Sequence, residues 1–216
     1  NLTPEMDVVP RWKDESSGLW EFWHVPSGAL PTRDEESKKV QSNAETGIIL
    51  VLVPGGPFTI GARRPQTGES GANLDPAARE DESPVHSLSL APFFLSKYEM
   101  TQGQWLRLTG ENPSVHQRKT GSPREASPAH PVENVTWEMC RETMFRHGLV
   151  LPSEAQWEYG CRARSGTVFS TGDDPRSLQG SANILDQHAA RLGLPGTVAP
   201  WDDTFAFHAP VGSFAA

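Results

Sequence analysis

Residues 151–159 read Leu-Pro-Ser-Glu-Ala-Gln-Trp-Glu-Tyr, and this run restricts the backbone more tightly than any other in the chain. Pro152 disfavours helix at the residue before it, and Ser153 is a good N-cap. Glu154 and Gln156 then occupy a first turn whose exposed N–H groups favour acidic and polar partners. The spacing predicts a helix from Ser153 to about Arg162. Trp157, four residues after the cap, is expected to turn inward and anchor a core.

The rest of the chain is short on regular signals. Of 216 residues, 36% are hydrophobic, with 19 Gly, 19 Pro and 7 Trp. That composition points to one loop-rich domain, or a domain with an extension, whose core is built from a few large aromatics. A net charge of −8 (19 basic against 27 acidic residues) excludes a nucleic-acid backbone as the expected partner and favours cations or basic peptides. No apolar run approaches the ~20 residues of a membrane span, so no membrane role is expected. Two cysteines, Cys140 and Cys161, are too few for a disulfide scaffold or a zinc site and fit a reducing, cytoplasmic compartment. They read as buried, inert thiols, with a bridge between them left open.

Residues 1–44 read as a Trp-rich extension and polar loop, and residues 45–216 as the main domain. Trp20, Phe22 and Val25 fit a short edge strand. Ile48–Val53 is a buried strand closed by Pro54-Gly55-Gly56, and Phe58 and Ile60 alternate in a second strand, so the two are expected to form a hairpin. Gly56-Pro-Phe-Thr-Ile-Gly61 has phosphate-loop glycine spacing, but Ala62-Arg63 follows where Lys-Ser/Thr is needed, and a bulged hairpin turn is the better reading. Residues 62–82 and 111–129 read as exposed loops. Thr101 caps a helix stopped by Gly110, and a further helix is expected from Trp137 to about His147. Residues 164–208 show little periodicity, and Ala209–Phe214 returns to strand character. The seven histidines show no paired spacing, and each reads as a surface or core-capping residue. Together these elements make an α+β domain of low regularity.

Several of these strings, in this order, resemble the formylglycine-generating (sulfatase-modifying factor) family. Phe58-Thr-Ile-Gly61 matches a hairpin element of that family, Glu82-Ser-Pro-Val-His86 an acidic lead-in, and Tyr98-Glu-Met-Thr101 the start of its first helix. His130–Trp137, Gly148–Arg162, Ala182–Asp186 and Ala209–Phe214 match four more. Val150 and Gly160-Cys161 depart from the usual residues. The spelling of Phe94–Trp105 looks like the multidomain bacterial branch.

The resemblance implies the compact, loop-rich variant of the C-type-lectin-like fold, incomplete at its C-terminal end. It also implies a calcium site formed by the Asn183 side chain, the Ile184 carbonyl, the Asp203 side chain and the Phe205 carbonyl. These are hard oxygen ligands of the kind Ca²⁺ takes. Active members use Cu(I) on two cysteines that lie beyond the element matching Ala209–Phe214, and Cys140 and Cys161 match neither, so no catalytic residue and no other cofactor ligand is assigned. Two readings follow. One is a non-catalytic recognition or regulatory module of a larger bacterial protein, with residues 62–82 and 111–129 facing a protein or peptide partner. The other is the front of a copper-dependent oxidase that converts a target cysteine to formylglycine, its cysteine pair lying after Ala216. An iron-dependent sulfoxide synthase is disfavoured, because no histidine triad is legible. On either reading, the chain is expected to fold only together with the missing C-terminal part of its domain.

Overall fold

The computed structural model describes residues 7–117 and 126–214. The expected exposed loop at 111–129 therefore lies partly outside the described residues. The chain forms two compact units, one from Asn1–Leu52, Phe94–Leu151 and Asn183–Ala216, the other from Val53–Phe93 and Pro152–Ala182.

The first unit is built on a four-stranded sheet in the order β1-β2-β3-β6: β1 Val8–Lys13, β2 Trp20–His24, β3 Ile49–Val53 and β6 Phe93–Ser96. β1 and β2 form an antiparallel hairpin with a bulge between Pro10 and Trp12, and β2 pairs antiparallel with β3 through Glu21↔Val51 and Trp23↔Ile49. β2 is thus an interior strand, not the edge strand expected from its aromatics; β1 takes the edge, where Pro10 can be tolerated.

Around this sheet stand α1 (Gln102–Thr109) and α2 (Trp137–Arg146). Both begin where the sequence placed them. The hydroxyls of Thr101 and Thr136 accept from Gln104 N and Met139 N, and Gly110 ends α1 at φ +83°. Arg107 of α1 donates to the Ser27 and Ala44 carbonyls, and His24 and His147 link β2, α2 and the Leu108 carbonyl.

The core holds Ile48, Ile49, Leu50, Trp105, Trp201 and several alanines. Only two of the seven tryptophans belong to it, so the aromatic core expected from composition is instead a small aliphatic one. Much of the interior is polar: Glu21, His24, Gln102, Gln104 and Asp186 are all buried. Buried polar groups persist only when paired. Glu21 is held by Trp12, Arg33 and Lys97, and Gln104 bridges Thr101 N and the Thr46 carbonyl.

The second unit contains a two-stranded antiparallel sheet, β4 (Gly56–Ile60) with β5 (His86–Leu90), and α3 (Glu154–Arg162). The expected β3–β4 hairpin does not form. Gly55 and Gly56, at φ +69° and +121°, turn the chain out of β3, and β4 pairs with β5 across residues 61–85. The Gly56–Gly61 string is therefore mostly strand, neither a phosphate loop nor a hairpin turn.

Ser153 caps α3 in a reciprocal box with Gln156. The inward face of α3 is set by Glu158, Tyr159 and Arg162, which bond Gly61 N, the Gly55 carbonyl and the Gly61 carbonyl. Two residues before Tyr159, Trp157 is rotated about 200° around the helix axis and is 61% exposed. It does not anchor a core. The residues after α3 hold two short helices that periodicity missed, a 3-10 turn at Pro175–Leu178 in the second unit and α4 at Gln187–Arg191 in the first. Ala209–Phe214 is not a strand: Gly212 at φ +77° and the Ser213 N to Pro210 carbonyl bond make it a turn. Among the described residues, no helix is long and apolar enough to cross a membrane.

Candidate metal centre

In the first unit, residues 183–187 run beside residues 199–205, and four hydrogen bonds join the two segments. Ala199 N donates to the Leu185 carbonyl, Gln187 N to the Trp201 carbonyl, Gln187 Nε2 to the Pro200 carbonyl, and Asp203 N to Asp186 Oδ2. Asp186 is wholly buried, and its other oxygen caps α4 through Ala189 N. Burial raises its carboxyl, but these backbone N–H donors overcome that and hold it below the usual range. Asp186 is the clamp of the site, and the family match over Ala182–Asp186 assigns it no role.

Phe205 N donates to Asp203 Oδ1, and Asn183 and Ile184 lead directly into the clamped stretch Leu185–Gln187. Among the described residues, Asp203 Oδ2 is buried with no hydrogen-bond partner, and the side-chain nitrogen of Asn183 is in the same condition. Since amide oxygen and nitrogen are interchangeable by a flip, the Asn183 oxygen can take that position. Burial pushes the Asp203 carboxyl up, and the nearby charges of Asp186 and Asp202 push it further. A buried carboxylate oxygen without a donor, crowded by two other acids, is a place where a cation relieves a cost of about 1–3 kcal/mol. By chemistry alone, Asn183, Ile184, Asp203 and Phe205 would offer a cation one amide, two carbonyls and one carboxylate. Among the described residues no three His, Cys, Asp or Glu side chains are arranged to hold a metal. A centre here is therefore of this mixed kind.

The cysteines are free. Cys140 lies on α2 in the first unit, half-buried, and burial pushes its thiol up. Cys161 lies on α3 in the second unit and is exposed, not buried as expected, because it follows the inward-facing Tyr159 by two positions. Cu(I) takes thiolates, and these two residues do not fit such a site.

Three histidines far apart in sequence gather in the first unit. His208 lies edge-on to His130 and His116, with ring centroids 5.2 and 5.7 Å apart, and His116 stacks on Phe207 at 4.0 Å. His208 has both ring nitrogens buried and without partners among the described residues. Burial pushes the His130 and His208 rings down, toward the neutral form. Only long-range contact information could have found this cluster.

The profile of the FGE-sulfatase family, the sulfatase-modifying factor enzyme 1-like domain, matches residues 34–216. The chain belongs to this family. Its likeness to solved structures agrees on the fold: PvdO from Pseudomonas aeruginosa superposes with a TM-score of 0.50 at 22% identity, over 87% of this chain and 67% of that one. The mixed sheets and few helices fit the α+β architecture of FGE-sulfatase domains. Among curated proteins, YfmG of Bacillus subtilis is 24% identical over 88% of this chain and 43% of its own length. A protein of Chlamydia trachomatis named serine/threonine-protein kinase Pkn1 is 28% identical over 58% of this chain and 21% of its own. The chain thus spans less than half the length of both curated relatives.

Proposed function

We propose that this FGE-sulfatase domain is a non-catalytic, calcium-stabilised recognition or regulatory module of a larger bacterial protein, acting on a protein or peptide partner. The likeness to one stretch of a longer protein carries the reading. Burial pushes the Cys140 thiol up, toward its protonated form, and neither Cys140 nor Cys161 matches the family's copper positions. The relative named as a kinase, in which the matching stretch is about a fifth of the protein, supports a module within a longer chain. Asn183, Ile184, Asp203 and Phe205 would hold Ca²⁺, which would fasten together two loops that have little backbone pairing of their own.

Two measurements test this. Chelation is expected to lower the melting temperature. At a metal concentration about 100-fold above Kd the linkage is about 2.7 kcal/mol, or about 5–10 °C for a chain of this size. Asp203→Ala should abolish the response, and an unchanged melting temperature together with no calcium in metal analysis would sink the assignment. For the non-catalytic reading, the full-length protein is incubated with copper and a peptide carrying a sulfatase-type cysteine motif. Conversion of that cysteine to an aldehyde would establish the oxidase reading in its place.

A further inference from the structure

The second unit carries two grooves of opposite character. One, of about 560 Å³, is lined by Asp81, Glu82, Glu154 and Glu158, with Arg162 as its one lysine or arginine. The other, of about 490 Å³, lies along β4 and the end of α3, and its lining includes Phe58, Tyr159, Arg162, Arg164 and Ser165 but no carboxylate. In a chain of net charge −8, a groove whose charged side chains are both arginines is a local reversal of sign.

The apolar wall of this groove is fixed. Phe58 and Tyr159 meet edge to face at 5.0 Å, and the Tyr159 hydroxyl donates to the Gly55 carbonyl at 2.6 Å. Arg162 is largely committed, its Nε on Glu158 at 2.6 Å and its terminal nitrogen on the Gly61 carbonyl at 3.0 Å. Arg164 is not. It forms no hydrogen bond or ion pair among the described residues, and it sits at φ +71° directly after Ala163 at φ +47°. Two successive non-glycine residues in the left-handed region are unfavourable, and here they turn the chain back along the groove. The returning segment is pinned by Asn73 N on the Gly166 carbonyl at 2.8 Å. Next to Arg164, the Ser165 hydroxyl oxygen is buried and has no partner among the described residues. An uncommitted guanidinium, an unsatisfied hydroxyl and two fixed rings thus line one groove, whose size suits a small ligand.

We infer that this groove binds a carboxylate joined to an aromatic or aliphatic arm, as in a free aryl-alkyl acid or a peptide C-terminus ending in an apolar residue. The Arg164 guanidinium takes the carboxylate in a two-pronged pair, the geometry at which arginine excels. Ser165 donates to the same group, and the arm packs on Phe58 and Tyr159. The inference is independent of the calcium reading, because none of these residues belongs to the metal centre.

The test is an amide-resolved NMR titration of the intact protein with 3-phenylpropionate, with an acetylated tripeptide ending in phenylalanine, and with the C-terminal amide of that tripeptide. Saturable shifts are expected at Gly56, Phe58 and Arg164–Gly166, with the tripeptide amide at least tenfold weaker than the tripeptide acid. Binding by phenylpropionate alone identifies a small-molecule acid as the ligand class, and binding by the tripeptide acid identifies a peptide terminus. Arg164→Gly is the decisive variant, since glycine accepts the positive φ without strain and so keeps the fold. It should leave thermal stability equal or higher and weaken acid binding at least tenfold. No saturable binding by either acid, saturable binding of the tripeptide acid matched by its amide, or acid binding unchanged in Arg164→Gly would overturn the inference.

Discussion

Glu21 is expected to matter more to stability than any other charged side chain of the first unit. It is 1% exposed, on an interior strand, and its carboxylate accepts from Lys97 Nζ, from Arg33 at 3.0 Å and from Trp12 Nε1. Asp14 accepts from the same two cations at 3.1 and 3.3 Å, so two acids and two bases form a neutral group. Arg33 also lies over the Trp12 ring at 4.5 Å. Glu21→Ala removes one charge and leaves two cations sharing a single acid in a poorly hydrated place. Breaking a buried ion pair in this way costs about 3–5 kcal/mol. Because Asp14 stays to share the cations, the lower end, about 3 kcal/mol, is the expected loss. Asp14→Ala should cost less, since Asp14 lies nearer to solvent. Its carboxyl, raised by burial but lowered more by bonds from Ser16 and Ser17 and by the charge of Lys97, sits well below the usual range.

The assay is urea unfolding followed by tryptophan fluorescence, with the slope m checked for constancy. A cycle with Lys97→Met separates the pair from packing: Glu21→Met/Lys97→Met should recover most of the loss, as apolar replacements of whole buried pairs do. A loss below about 1 kcal/mol for Glu21→Ala, or no coupling in the cycle, would refute the argument. The pH dependence gives a second check. A carboxyl depressed in the folded state contributes stability that is complete above its unfolded value, about 3.9, and lost as pH falls through its folded value. The contribution of Asp14 should therefore be flat from pH 8 to about 4 and decline only below that.

Two further outcomes are expected. Ser153→Ala removes the cap and half of the reciprocal box on α3, and should cost about 1 kcal/mol by the same unfolding assay. His24 and His130 have rings pushed down by burial, so their neutral forms stabilise the fold fully above about pH 6.5, and that stability is lost as pH falls from there toward their folded values; unfolding curves at pH 7.5 and 5.5 should show it, and His130→Gln should flatten the difference.

What the sequence made legible follows the range of the interaction that decides it. The caps at Thr101, Thr136 and Ser153 act over three residues, and all three helices start where they were expected. The partner of β4 is decided by residues 86–90, so the glycine turn after β3 was compatible with a hairpin that does not form. Trp157 was placed by counting from its cap, but which face of α3 turns inward depends on what Glu158, Tyr159 and Arg162 find on β4 and the turns that flank it. The ion group around Glu21 had one local trace, an acid alternating with aromatics in β2; its partners Arg33 and Lys97 come from a loop and from just beyond β6. The same holds for the three histidines at 116, 130 and 208.

One global clue was misassigned rather than missed. A hydrophobic content of 36% beside seven tryptophans suggests large aromatics in the core, yet much of the interior is polar and its buried glutamate, glutamines and Asp186 are paired. Such an interior is stable only where every donor and acceptor is met, which makes its exceptions informative. The proposed calcium site is where this matters most. Asn183, Ile184, Asp203 and Phe205 entered through family likeness alone, without any spacing rule. Among the described residues both oxygens of Asp186 are paired, while Asp203, its neighbour in the same clamp, keeps an oxygen buried without a partner. In an interior that otherwise pairs its acids so thoroughly, that oxygen is the strongest local argument for a cation.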